Sequence, residues 1–373
     1  MATSATETLP LYAALGTLYG NELEAQGVGA ATLTHKWQPA DLLAPHSDLD
    51  VRVLLRDAPP DWWEWNHRLA AAHRNVVSGE ISHRRLLEHP PGFAFTLAEA
   101  DGGLIAAPEL ATWSPIGTST RGFQRWKSHA QMAPWTWLDE RFYRGILQAR
   151  LGGRYQLAAD STDNVVEDVA AYQRHCVAWH YLAPCWFAAA ALATRTRCPG
   201  KTAALTQWRP DGLEGYAELF LRHTVPSADA PVRSARHLLR AAHAALEAVM
   251  RRVPHGDTPV DADEDSSRIA WVMTAGMLRV RIARWLYYLD PPPGVATEYL
   301  IAREAKELRA AAKTLRTLAA DEADPARGLA GRMATLIPTG PTTADTLRES
   351  LALWGQERSV VQDFLTLPPT RHL

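Results

Sequence analysis

A chain of 373 residues with 47% hydrophobic content has the length for two domains and the composition of an ordinary soluble globular protein. Its formal net charge of -2 excludes the overall basic excess of a long nucleic-acid track, while leaving room for a local patch. Cys176, Cys185 and Cys198 are too few and too widely spaced for a zinc site or a disulfide framework, and read as buried thiols. The N-terminus shows neither a basic nor an apolar leader region, and no stretch reaches the about 18 uncharged apolar residues of a membrane span. Even the apolar run Tyr181 to Ala193 is too short. The expectation is a soluble, cytoplasmic protein with no membrane partner.

Along the chain, Leu11 to Gln26 reads as a helix with Leu11, Leu15, Leu18 and Tyr19 on one stripe, ended by Gly27-Val28-Gly29. Ala30 to Thr34 is a short strand candidate. A polar stretch from His35 to Ser47 follows, then a second strand from Asp48 to Leu55, rich in Val and Leu. Asp57-Ala58-Pro59-Pro60 marks a turn, and Asp61 suits a helix N-cap ahead of Trp62, Trp65, Leu69 and Ala72. Val76 to Ser82 and Phe93 to Ala98 read as further strands. This part alternates helix and strand.

Beyond about residue 135 helical periodicity takes over. Stripes run through Val165, Val169, Tyr172 and Cys176, then Val232, Leu239, Leu246 and Val249. Later ones pass through Ile269, Val272, Met273 and Val280, and through Leu300, Leu308, Ala311 and Leu315. The fold class expected is α+β, a mixed sheet with flanking helices over residues 1–134 and an all-helical part of roughly six to eight helices over 135–373.

The chemistry-bearing feature is Ser47-Asp48-Leu49-Asp50 followed by Val51-Arg52-Val53-Leu54-Leu55. In a strand, side chains at i and i+2 share a face and stand about 6.5–7 Å apart. Asp48 and Asp50 would therefore project together. Two such carboxylates can bridge a pair of divalent cations about 4 Å apart, an arrangement suited to displacement at phosphorus. The alternative is a solvated or turn-capping pair of aspartates. Burial of Val51 to Leu55 directly after the acids would fix them at a core edge.

This segment resembles the metal-binding motif of the polymerase-β-like nucleotidyltransferase superfamily, closest in pattern to its aminoglycoside adenylyltransferase branch. In that family a helix and a strand lead to a Gly-Ser turn, then to Asp-x-Asp on the next strand. Here Thr34-His35-Lys36 stands where Gly-Ser is expected. The resemblance implies two Mg²⁺ ions on Asp48 and Asp50, and a nucleoside triphosphate as co-substrate. It also implies a third carboxylate on a neighbouring strand, which is a metal ligand or general base. Within Gly79-Glu80-Ile81-Ser82-His83 it assigns that part to Glu80, with Glu88 and then Glu99 as fallbacks. Thr34, His35, Lys36 and Ser47 fall on the triphosphate side. Lys201, opening a helix after Cys198-Pro199-Gly200, would reach the phosphates with the helix dipole behind it. A solvent-facing lysine in a turn is the alternative.

The resemblance implies transfer of a nucleoside monophosphate to a hydroxyl of a small molecule, with release of pyrophosphate. An RNA (tRNA) end as acceptor, or a non-catalytic binding protein on the same fold, are the competing readings. The helical part suggests an acceptor site or a homodimer interface. Most of the 14 tryptophans read as core. Trp37, in the polar stretch, is a candidate for base stacking, and Trp126, Trp135 and Trp137 for the lining of an acceptor pocket. Arg52 shares the face of the two acids, either to orient them or to satisfy the strand end. His35, His46 and His83 lie nearby as loop histidines. Arg233, Arg236 and Arg240 form a helix row that is either a solvated face or a contact for RNA phosphates.

Overall fold

In the computed structural model, residues 5–42, 47–116, 122–151, 183–214, 248–249, 251–253, 264–320 and 325–366 are described. The first helix, Ala5–Ala25, starts earlier than its apolar stripe suggests and buries Tyr12, Leu15, Tyr19 and Leu23 along one face. It stops where expected. Gly27 and Gly29 take φ of 69° and 73°, and the amides of Gly27 and Val28 return to Glu24 and Leu23 carbonyls at 2.9 Å. Glycine reaches this left-handed region without a Cβ clash.

Four strands form one mixed sheet: β1 (Ala30–Lys36), β2 (Val51–Leu55), β3 (Phe93–Thr96) and β4 (Trp113–Ile116), in the order β3-β2-β1-β4. β1 runs antiparallel to β2 and β4, whereas β2 and β3 are parallel. A parallel pair needs a crossover. Here the helix Trp62–Gly79 and the shorter helix Ile81–Leu86 make it. Asp61 caps the first of these as expected, accepting from the amides of Trp63 and Glu64 at 2.9 and 3.3 Å.

The strand expected at Val76 to Ser82 is absent. Val76 and Val77 are the last buried turn of the Trp62–Gly79 helix, continuing the face of Trp65, Leu69 and Ala72. Their β-branched side chains favour strand locally, and a buried helical stripe overrides that weak preference. β4 was not anticipated. β1 reaches Lys36, so His35 and Lys36 belong to the sheet, while β2 begins only at Val51, after both acids.

After residue 135 every regular element among the described residues is a helix, from Trp137–Leu151 through Ala183–Thr194 and Lys201–Gln207 to Arg358–Thr366. The stripe through Val165 and Cys176, and Arg233, Arg236 and Arg240, lie outside the described residues, as does His46. One buried cluster joins Tyr12, Val53, Leu69 and Ala94 to Trp271, Trp285, Trp354 and Leu365. A second gathers Tyr143, Trp186, Phe187, Leu205 and Val253. The sheet thus shares its core with the last helices of the chain. Buried polar links reinforce that union. Arg279 grips Glu99 with two bonds of 2.7 Å, and the Asn66 amide donates to the Arg279 carbonyl at 2.7 Å.

Candidate metal centre

Asp48 and Asp50 stand on the extended segment that leads into β2, half-buried, with Leu49 between them turned into the core. The segment is anchored on both sides. The Leu49 amide donates to Leu86 O at 2.8 Å, Lys36 N donates to Asp50 O at 3.1 Å, and Gly92 N donates to Val51 O at 2.8 Å. These bonds tie it to the crossover helix, to β1 and to the turn before β3. That turn brings in His89. One ligand atom each from Asp48, Asp50 and His89 lie within 4.8 Å of one another.

His89 is 7% exposed. Its Nδ1 lies 3.0 Å from Pro90 O and 3.0 Å from a guanidinium nitrogen of Arg284. Arg284, from the helix Arg281–Leu289, also donates through Nε to Pro91 O at 3.1 Å. Gly92 makes this approach feasible, because a Cβ there would sit 3.2 Å from the same Arg284 nitrogen.

The charges on the two acids diverge. Burial, then the neighbouring charges of Asp50 and Glu88, push Asp48 up to about 8, with Arg303 opposing. Burial would raise Asp50 too, but Arg52, Lys36 and Arg303 hold it down at about 2. Burial, with Arg284 next, lowers His89 to about 3, so the imidazole is neutral at physiological pH. Two carboxylates at this spacing want a shared proton or a cation.

The expected site residues divide sharply. Lys36 reaches this neighbourhood, with Nζ 3.7 Å from Glu109 Oε2 and 5.2 Å from the Trp37 ring centre. Lys201 is also near Trp37, with Nζ 5.0 Å from the same centre. Trp37 itself has φ of 82°, a strained conformation for a bulky side chain, and packs edge-on against Phe187 at 5.1 Å. The helix end at Lys201 does hold an anion, but that anion is Asp41. Its carboxylate accepts from the amides of Lys201 and Thr202 at 3.1 and 2.7 Å, which corrects the expectation of a phosphate seat there.

Thr34 is buried in β1, and its Oγ1 has no hydrogen-bond partner among the described residues. His35 is also buried, its Nδ1 2.8 Å from Lys36 O, and burial lowers it to about 4. Ser47 is buried and its carbonyl accepts from Tyr12 at 2.8 Å, which fixes the chain just before the acids.

Glu80 is not on a strand and does not join the acids. It sits between two helices with a side chain 68% exposed, 3.3 Å from His83. Glu88 is closer to the centre, since its charge acts on Asp48. Glu99 is committed to Arg279 and to the cap of the helix after β3. Arg52 serves the strand end rather than an open acceptor site. It donates to Glu109 Oε1 through Nε and Nη2 at 3.1 and 2.9 Å, and to Asp50 O at 2.6 Å. Trp126 donates to Asp101 at 2.8 Å, and Trp135 stacks on Tyr143 at 5.6 Å.

His89, Glu109, Arg284 and Arg303 were missed by sequence reasoning. His89 had one local signal, its place directly before Pro90-Pro91-Gly92 and β3. The others arrive from distant segments. Two carboxylates fit a divalent cation. Among the described residues the third ligand brought to the two acids is the imidazole of His89, and Glu80 is not part of the cluster. Among the described residues no helix is long and apolar enough to cross a membrane. No family model, curated protein or solved structure matched the chain.

Proposed function

We propose that this chain is a metal-dependent nucleotidyltransferase that moves a nucleoside monophosphate from a nucleoside triphosphate to a hydroxyl of a small molecule. The observation that carries the reading is the acid pair Asp48 and Asp50, held on the segment entering β2 beside the parallel strand β3. The order helix, strand, Asp-x-Asp segment, strand also supports it. A bound divalent cation would offset triphosphate charge and hold the α-phosphorus in line with the attacking oxygen. Asp50, kept ionised by Arg52 and Lys36, would hold that cation. Lys36, whose charge acts on Asp50, is the cation of the first strand nearest the acid pair. Glu88, whose charge acts on Asp48, takes over from Glu80 as the candidate to receive the acceptor proton.

The test is release of pyrophosphate from each of four triphosphates across a panel of hydroxylated acceptors. Asp48→Asn and Asp50→Asn should each abolish it, and full activity in either would sink the assignment. A second reading, with an RNA end as acceptor, draws support from the helix Glu298–Leu318. Its exposed face carries Arg303, Lys306, Lys313 and Arg316 at helical spacing, and the charge of Arg303 reaches both acids. Label from a triphosphate appearing only in RNA would favour that acceptor.

A further inference from the structure

We infer that Asp48, Asp50 and His89 form a mononuclear site for a first-row transition-metal divalent ion, in preference to a pair of Mg²⁺ ions. The inference shares its acid pair with the proposed reaction but does not depend on nucleotide transfer.

Three observations converge on it. The first is donor chemistry. Mg²⁺ favours oxygen ligands, whereas imidazole suits the later first-row ions; Mn²⁺, the lowest of that series in affinity, is the paramagnetic probe of the site. Two carboxylates and one imidazole within 4.8 Å therefore select for an ion that tolerates nitrogen.

The second is the setting of His89. A ligating histidine commonly donates its other N–H to a backbone carbonyl, which fixes the tautomer and directs the free lone pair at the ion. Nδ1 of His89 lies 3.0 Å from both Pro90 O and Arg284 Nη2, which hold the ring in place; ligation through Nε2 uses the tautomer in which Nδ1–H donates to Pro90 O. The ring is almost wholly buried, and the Pro90-Pro91-Gly92 turn beneath it is pinned to Val51 O and to Arg284. A surface histidine would have to surrender mobility to bind; this one is already in place.

The third is charge. Two carboxylates balance one divalent ion. Lys36, Arg52 and Arg303 all bear on Asp50, and Arg284 bears on His89. A second divalent ion has no ligand set of its own, since no further carboxylate among the described residues joins the cluster.

The experiment is a Mn²⁺ titration of the full chain, stripped of metal and free of nucleotide, followed by electron paramagnetic resonance. One Mn²⁺ per chain is expected to leave the free-ion signal. Pulsed measurements on the bound ion should show a directly coupled ¹⁴N, a readout that needs no variant. A hundredfold excess of Mg²⁺ should leave most of the Mn²⁺ bound. His89→Gln should remove the nitrogen coupling and weaken Mn²⁺ binding by roughly tenfold or more, with its far-ultraviolet circular dichroism unchanged.

No Mn²⁺ binding, two ions per chain, no nitrogen coupling in the wild-type protein, or displacement by equimolar Mg²⁺ would each overturn the inference. If Mn²⁺ binds with nitrogen coupling but no triphosphate is turned over, the proposed reaction alone fails. If transfer proceeds with Mg²⁺ and Mn²⁺ shows no nitrogen ligand, the metal inference alone fails.

Discussion

Replacing Glu109 by glutamine tests the charge balance on which the candidate centre rests. Glu109 is buried, and one of its oxygens accepts three bonds, from Arg52 Nε and Nη2 at 3.1 and 2.9 Å and from Trp113 Nε1 at 3.1 Å. Its other oxygen faces Lys36 Nζ at 3.7 Å. A glutamine can keep its carbonyl toward Arg52 and Trp113, but its amide then points donor against donor at Lys36. With an effective dielectric of about 20, the Lys36–Glu109 attraction alone is about 4.5 kcal/mol before desolvation. Breaking a buried pair by removing one partner costs roughly 3–5 kcal/mol, because the remaining charge is left uncompensated. Glu109→Gln should therefore lose about 3 kcal/mol or more in urea unfolding. It should also weaken divalent-ion binding, since Lys36 and Arg52 then bear on Asp50 without a counter-charge. In a double-mutant cycle, Arg52→Met should recover part of the loss in the Glu109→Gln background. A cost under about 1 kcal/mol with no coupling to Arg52 would refute the buried pairing.

Other expectations concern neighbouring residues. Glu80→Ala should change stability by less than about 0.5 kcal/mol and leave ion binding intact, as an exposed carboxylate outside the cluster must; a lost ion in a titration would return Glu80 to the site. Burial raises the Asp48 pKa from its ordinary 3.8 to about 8 in the folded state, which therefore holds the proton more tightly. The stability this supplies is complete below about 3.8 and is lost as pH rises through about 8. In chelator, the melting temperature of the wild type relative to Asp48→Asn should fall between pH 4 and 8; a flat difference would contradict the burial of that carboxyl. Asp41→Ala removes the bonds to Lys201 N and Thr202 N that cap the helix Lys201–Gln207, and should cost about 2 kcal/mol in thermal unfolding. An unchanged melt would show that the cap is replaced by water.

How much of this was legible beforehand depends on the range of the forces involved. The first helix and its glycine stop, β1, β3, the Asp61 cap and the helical character after residue 135 were all readable. Each follows from periodicity or from backbone preferences acting within a few residues. The acids were readable too, as a pair on one segment. The strand expected at Val76 to Ser82 failed because a β-branched pair carries a weak local preference, and burial against the rest of the core decided its conformation. Glu80 failed with it, because its role depended on that strand existing.

Only the tertiary structure selected the company the acids keep. His89 reaches them because β3 runs parallel to β2, so the turn before β3 returns to the same end of the sheet. Arg284 and Arg303 come from the last third of the chain, which shares the sheet's apolar core. Lys201 lost its expected anion to Asp41, a residue far from it in sequence. Local sequence determined where two carboxylates would stand together. Which cations, which imidazole and which carbonyls surround them was settled by long-range packing, where burial energy summed over many residues outweighs the preference of any one segment.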